Sequence, residues 1–369
     1  MTVPFVDLRI SSSHLRREVA AAVESVLDNC QFILGSQVSS FEEAFAEFCG
    51  ADHCVGVANG TEALHLTLRA MGIGPGDEVI TAANTFAATA LAIAYAGATP
   101  VLVDVDPDYY LIDVELIERA ITPRTKAILP VHLYGQPADM LAIQEIAARH
   151  DLRIISDACQ AHGSFIGNVP IASFGDAACF SFYPSKNLGA CGDGGAVVTN
   201  NTKLADRLRM LRNYGQRAKN DYAMLGYNSR LDTIQAAILS AKLPYLASWN
   251  DSRRQAAARY RELLQDSDVV LPAERPDVTH VYHLYVIQHS HRDELQRVLE
   301  RAGVQCGIHY PNPIHEMPAF RSARTVPNGA PVSSQLARRI LSLPMYPDIA
   351  DESLEHVSQA INSQLLAAL

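Results

Sequence analysis

In the stretch FSFYPSKNLGACGDGG, residues 180–195, an apolar run ends and one lysine, Lys186, stands ahead of a group of glycines. An amine at the end of a buried strand suits carbonyl chemistry. Burial lowers its pKa, and the neutral amine can attack an aldehyde to form a Schiff base. An exposed loop lysine is the plainer reading that this stretch alone also allows. The run IISDACQAHG ends its apolar part at Asp157. That carboxylate either caps the segment that follows or faces a cation, whether Lys186 or a protonated pyridine nitrogen. Asn59-Gly60-Thr61-Glu62 joins another apolar run to a helical pattern. A helix N-terminus offers free N–H groups and partial positive charge, so it suits a phosphate. Gly60 permits close approach of the backbone and Thr61 adds a hydroxyl. Ser181 supplies a second hydroxyl. Phe86 is either a stacking ring or a core aromatic. A lysine, an acid partner and a phosphate cradle are together what a pyridoxal phosphate enzyme needs.

These residues must be held by a scaffold, and the hydrophobic pattern indicates which. Between about 52 and 200, short apolar runs alternate with helical spacing: HCVGVANG, VITAAN, TPVLVDVD, KAILPVHLYG and LRIISDACQ read as strands. TEALHLTLRAMG, with Leu64, Leu68 and Met71 at helical spacing, and the Ala-rich TFAATALAIAYAG read as helices. This rhythm predicts a mostly parallel sheet covered by helices on both faces, with ligands beyond the carboxyl ends of its strands. The residues there are 59–62, 84–86, 132–136, 157–160 and 181–186. Past about 240 the pattern changes. A helix is expected over about 250–265, then HVYHLYVIQ, a helix over about 292–303, the loop GIHYPNPIHEMP, and a final helix over about 352–367. The expected division is a large domain over 1–240, whose extreme N-terminus packs elsewhere, and a small α/β domain over 241–369.

Composition narrows the function. The 369 residues carry 30 basic and 40 acidic side chains, a net charge of −10, which disfavours nucleic acid as the partner. No apolar stretch reaches membrane-spanning length, and the opening MTVPFVDLRISSSHLRREV lacks a signal-peptide core, so a cytoplasmic location is expected. The seven cysteines are odd in number and show no CxxC pair, and the thirteen histidines form no HExxH. Structural thiols and no metal site are expected.

In order, NGTEAL, TFAATA, HLYGQ, DACQAHG, SFYPSKNLGACGDGG and NSRLDTIQAA resemble the DegT/DnrJ/EryC1/StrS family of sugar aminotransferases over nearly the whole chain. The resemblance implies the aspartate aminotransferase (type I) fold, pyridoxal 5'-phosphate as cofactor, and a homodimer with shared active sites. It makes Lys186 the Schiff-base lysine, Asp157 the partner of the pyridine nitrogen, and Gln160 the contact to the ring's phenolic oxygen. Gly60, Thr61 and Ser181 fall at the phosphate, Phe86 on the ring, and Glu62 among the cofactor contacts. Asn228 reaches the neighbouring subunit's cofactor. Tyr183, His309 and Tyr310 line the sugar pocket, and Lys219 and Arg230 contact the acidic substrate.

The implied reaction is ping-pong. L-glutamate delivers the amine and leaves as 2-oxoglutarate, and a nucleotide-linked keto sugar receives it. HLYGQ with DACQAHG resembles members that aminate C-3 of a dTDP-3-keto-6-deoxyhexose. The alternatives are a C-4 keto sugar or a ketocyclitol. Dehydratases of similar appearance carry histidine where Lys186 stands, and a non-catalytic regulator that kept the fold would have no use for an intact lysine and cradle.

Overall fold

The structure, a computed structural model, describes residues 1–9 and 12–367. Its centre is an eight-stranded sheet. The strands are β1 (His53–Val57), β2 (Glu78–Ala82), β3 (Thr99–Val103), β4 (Thr125–Leu129), β5 (Arg153–Asp157), β6 (Ala177–Ser181), β7 (Gly195–Thr199) and β8 (Arg324–Val326). Their order across the sheet is β1-β7-β6-β5-β4-β2-β3-β8. All run one way except β7, which is antiparallel to both neighbours. The reason is local: residues 182–194 form a loop without a helix, and a parallel return needs a crossover.

Both faces of the sheet are buried, which is why its strands read as continuous apolar runs rather than alternating ones. Adjacent residues feed opposite cores. Ile80, Ile128 and Ile154 pack on one side with Val101 and Ile143, while Val79, Ala127 and Ile155 pack on the other with Leu64 and Leu68. The predicted helices stand at Gly60–Ala70 and Ala87–Tyr95. Two helices that the pattern did not single out, Ser13–Asn29 and Ser36–Phe48, precede the sheet.

Past residue 240 the long helix spans Leu246–Leu264, four residues longer at its start than read from sequence. A single 3₁₀ turn, Leu243–Tyr245, leads into it, and Pro244 is tolerated in that first turn. Of HVYHLYVIQ only Tyr285–Gln288 is strand, paired antiparallel with Ile340–Leu343. His280–His283 are irregular instead, which brings His283 to the main cavity. Helices Arg292–Arg301 and Asp351–Ala367 complete this part. The chain ends cross over. Val3 bridges to Val304 and joins the core of Tyr260, Leu299 and Leu343, while β8 extends the large sheet beside β3.

Candidate active site

The carboxyl ends of β1, β5 and β6 open onto a cavity of about 710 Å³, within the range of sites for small organic ligands. Asn59, Gly60, Thr61, Glu62, Thr85, Phe86, Asp157, Gln160, Ser181, Tyr183, Lys186, His309 and Tyr310 line it together. Four of the five strand-end segments singled out by sequence therefore meet. The fifth, 132–136, acts from behind. His132 is fully buried, accepts from the Ala138 N–H at 3.0 Å, and is held to a pKa of about 3 by burial.

Lys186 sits on the loop after β6, its backbone N–H donating to the Tyr183 carbonyl at 2.8 Å. Burial lowers its ammonium pKa below the ordinary value, and the neighbouring Cys159 and Asp157 oppose that shift. The glycines of this loop are not there for left-handed backbone; none of Gly189, Gly192, Gly194 and Gly195 has positive φ. They allow close approach. A Cβ on Gly189 would lie 2.2 Å from the Pro184 carbonyl oxygen, and one on Gly195 would lie 2.4 Å from that of Asn59. The loop thus folds flat on itself and re-enters the sheet against the start of the helix at Gly60.

Asp157 ends β5 and is 6% exposed. Its Oδ1 accepts from the Cys159 N–H at 3.2 Å and its Oδ2 from the Thr89 hydroxyl at 2.8 Å. The Thr89 hydroxyl also meets that of Thr85 at 3.0 Å. A carboxylate held by two donors keeps a fixed orientation in the cavity wall. Gln160 is fixed as firmly. Its Oε1 accepts from the Tyr134 N–H at 2.7 Å, so its Nε2 is the donor, and it reaches the Tyr310 hydroxyl at 3.1 Å.

The helix Gly60–Ala70 starts at the cavity. Asn59 caps it by accepting from the Glu62 N–H at 2.9 Å, which leaves the Gly60 and Thr61 N–H groups for an anion. A Cβ on Gly60 would meet the Ser181 Cβ at 2.7 Å and the Cys159 sulfur at 2.9 Å, so only glycine fits between helix and strand. Glu62 turns its carboxylate toward His65, 3.4 Å away.

Phe86 caps the next helix without a side-chain bond and is 55% exposed, its ring 5.4 Å from that of Tyr310. That exposure rules out a core role and leaves a ring face free in the cavity. Tyr183 is likewise exposed at the rim. His309 stacks on Phe5 and shares a 2.8 Å hydrogen bond with Ser342; burial and Lys186 lower its pKa to about 4. Burial pushes the Tyr310 phenol well up.

Asn228, Lys219 and Arg230 lie elsewhere. They belong to an arm that contains the hairpin Gln216–Tyr222, and none lines the cavity of this chain. Arg230 bonds Asn213 at 3.0 Å and lies over the Tyr214 ring, while Lys219 and Asn228 are exposed.

A family model described as the DegT/DnrJ/EryC1/StrS aminotransferase family matches residues 13–362. The chain belongs to that family. A relative from Acidithiobacillus ferrooxidans, a UDP-N-acetyl-3-dehydro-alpha-D-glucosamine 3-aminotransferase, is 48% identical over 98% of both chains. A Streptomyces venezuelae dTDP-3-amino-3,4,6-trideoxy-alpha-D-glucose transaminase is 46% identical, covering 97% of this chain and 95% of its own. The solved structure of S. venezuelae DesV in complex with a ketimine intermediate superposes with a TM-score of 0.96 at 46% identity, over 98% of each chain. The protein is thus an α/β aminotransferase of this family, with the large sheet domain that the family resemblance implies.

Sequence reading passed over several residues of the site. Thr89 was signalled only as a hydroxyl one helical turn past Phe86 in an otherwise apolar helix. Tyr134 acts through its backbone N–H, which no side-chain pattern reveals. His283 and Asp193 also line the cavity.

Among the described residues no helix is long and apolar enough to cross a membrane, and no cluster of three or more metal-ligating side chains occurs.

Proposed function

We propose that this aminotransferase uses pyridoxal 5'-phosphate to transfer the amino group of L-glutamate to C-3 of a nucleotide-linked keto sugar, a dTDP-3-keto-6-deoxyhexose. The observation that carries the reading is the convergence of Lys186, Asp157 and the free helix N-terminus at Gly60 on one cavity. The residues fit the cofactor. A lysine with lowered pKa suits its aldehyde, and a twice-held carboxylate suits its ring nitrogen. The gap that only glycine leaves beside Ser181 suits its phosphate. Gln160 would take the phenolic oxygen through Nε2, and Phe86 would cover the ring. When bound, the cofactor supplies an electron sink for charge at the substrate carbon.

The chain's own work is proton handling and exclusion of water. Lys186, its ammonium pKa lowered by burial, takes the proton from the donor's α-carbon and later returns one to the sugar carbon. Asp157 keeps a negative charge facing the ring position, with Thr89 and the Cys159 N–H holding it in place. Tyr183, His309 and Tyr310 stand at the cavity wall where the sugar would enter. Asn228, Lys219 and Arg230 lie on an arm outside this cavity, which supports a homodimer in which each arm serves the other subunit's site. Glutamate as donor, dTDP as nucleotide, the dimer and a cytoplasmic location are parts of this same proposal. The relatives acting at position 3 of both UDP and dTDP sugars support C-3.

The test is a pair of half-reactions followed by cofactor absorbance. The loaded protein is converted with L-glutamate, freed of it, and given nucleotide-linked 3-keto and 4-keto sugars separately. Recovery of the starting spectrum with the 3-keto sugar is expected. Recovery only with the 4-keto sugar would overturn the C-3 assignment, and no conversion by glutamate would overturn the donor.

A further inference from the structure

Behind Lys186 lies a chain of buried amides that fixes the state of a histidine. Asn250 Nδ2 donates to the His162 carbonyl at 2.8 Å, so Asn250 Oδ1 is an acceptor. It accepts from Asn187 Nδ2 at 2.8 Å, and that same nitrogen donates to the Val281 carbonyl at 2.9 Å. Asn187 therefore presents Oδ1 to His283 Nδ1, 3.2 Å away. An amide oxygen accepts only, so Nδ1 carries the proton and Nε2 carries a lone pair. Asn187, Asn250 and His283 are all buried. His283 lines the cavity together with Lys186, and no described residue takes its Nε2.

We propose that His283 is a positioning residue for Lys186: the lysine side chain, which makes no bond to the imidazole in this structure, turns its ammonium to His283 Nε2, which accepts a hydrogen bond and holds that nitrogen on the cavity side. The proposal rests on Lys186 being the reactive lysine of the function proposed above. The frame makes the tautomer permanent, because each amide in it is oriented by a backbone carbonyl. The charged and titratable groups around the ring keep it neutral. Burial does so most, followed by Lys186 from the loop after β6, Arg253 from the helix Leu246–Leu264, His309 from the same cavity's wall and His162 from the segment after β5. Arg253 also donates to the His283 carbonyl at 3.3 Å. A neutral imidazole with a fixed lone pair is an acceptor for a cation and cannot compete with Lys186 for the catalytic proton. Each time Lys186 is released in turnover it becomes a flexible chain with an ammonium end. An acceptor at a fixed place limits where that end goes.

Two substitutions separate the ring's two nitrogens. In His283→Asn the amide nitrogen can keep the bond to Asn187 but nothing replaces Nε2. In His283→Gln the amide oxygen reaches toward the Nε2 position. In cofactor-free protein, the pH of half-acetylation of Lys186 by acetic anhydride, read by peptide mass spectrometry, reports its amine. Losing an acceptor destabilises the ammonium, so this pH is expected to fall by about one unit in His283→Asn. It should recover toward wild type in His283→Gln. With cofactor loaded, kcat should drop about tenfold in His283→Asn with KM for the sugar unchanged. An unchanged labelling pH in His283→Asn would overturn the proposal. If His283→Asn melts early, the glutamine variant decides alone: a wild-type labelling pH supports the contact, and a lowered one refutes it. Failure of wild-type protein to take up pyridoxal phosphate would instead defeat the functional reading, and the labelling would still decide the contact.

Discussion

The floor of the cavity and the arm that carries Asn228 are built on opposite terms. On the floor Asp157 and Gln160 are each held by partners within the chain. Asp157 has Thr89 and the Cys159 N–H, and Gln160 has the Tyr134 N–H and Tyr310. On the arm, Lys219 and Asn228 are exposed, and Leu225 is 94% exposed. The difference teaches that one copy of this chain gathers Lys186, Asp157 and the helix start at Gly60 by itself but leaves Asn228, Lys219 and Arg230 outside that cavity. In the function proposed above, the floor is decided by folding and the arm by association.

The largest expected effect breaks the comparison directly. Lys186→Ala alone should lose activity by about 10³-fold or more, since both proton transfer and cofactor attachment go with it. Mixed and reassociated with Asn228→Ala, it should regain about a quarter of wild-type activity, because half the dimers then carry one intact site. No regain would mean that floor and arm serve the same chain or that the arm serves no site. Asp157→Ala comes next. Removing a charge aimed at the reacting system should lower kcat by about 10²-fold, measured at saturating sugar. Thr89→Val leaves the carboxylate but frees one oxygen. A hydrogen bond to a charged group contributes about 1.5 kcal/mol, so a loss of about tenfold in kcat is expected, with the melting temperature little changed. A Thr89→Val loss equal to that of Asp157→Ala would show that the threonine does more than orient.

One further effect falls on stability rather than on turnover and concerns what lies beneath the floor. His162 is fully buried against Phe180 and Phe182, with both ring nitrogens unpartnered. Burial, aided by Lys186, holds its folded pKa at about 3. Unfolded, a histidine titrates near 6.5. Stability from a neutral buried ring is therefore whole above about pH 6.5 and declines as pH falls toward 3, by up to about 1.4 kcal/mol per unit. His162→Leu should flatten the fall of unfolding free energy between pH 6 and 4, measured by urea titration. An unchanged slope would mean that the ring is already charged or hydrated in the native state.

How much of this could be read from the residues follows the same division. The floor was legible because its signals are local. A strand end lies adjacent in sequence to the helix start or turn that follows it, as in 57–62 and 155–160, and the sheet brings such ends together whatever else the chain does. What the loop glycines make room for was not legible. Their absence of side chains makes room for Pro184 and Asn59, a fact of contact rather than of backbone angle. Nor was Thr89, whose partner lies 68 positions away. His283 was hidden for a different reason: it sits in a run that reads as strand, and only the late start of that strand at Tyr285 turns it to the cavity. The exposure of Phe86 decided a question that its residue type left open.

The central claim is that Lys186 is the cofactor-bearing lysine, and it has a direct test. Protein loaded with pyridoxal phosphate is reduced with borohydride, digested and mapped by mass spectrometry. The added mass should fall on the peptide containing Lys186, in proportion to the absorbance lost on reduction. Label on Lys242, which donates to the Gly189 carbonyl at 2.7 Å on the same loop, or label spread over surface lysines, would contradict the account.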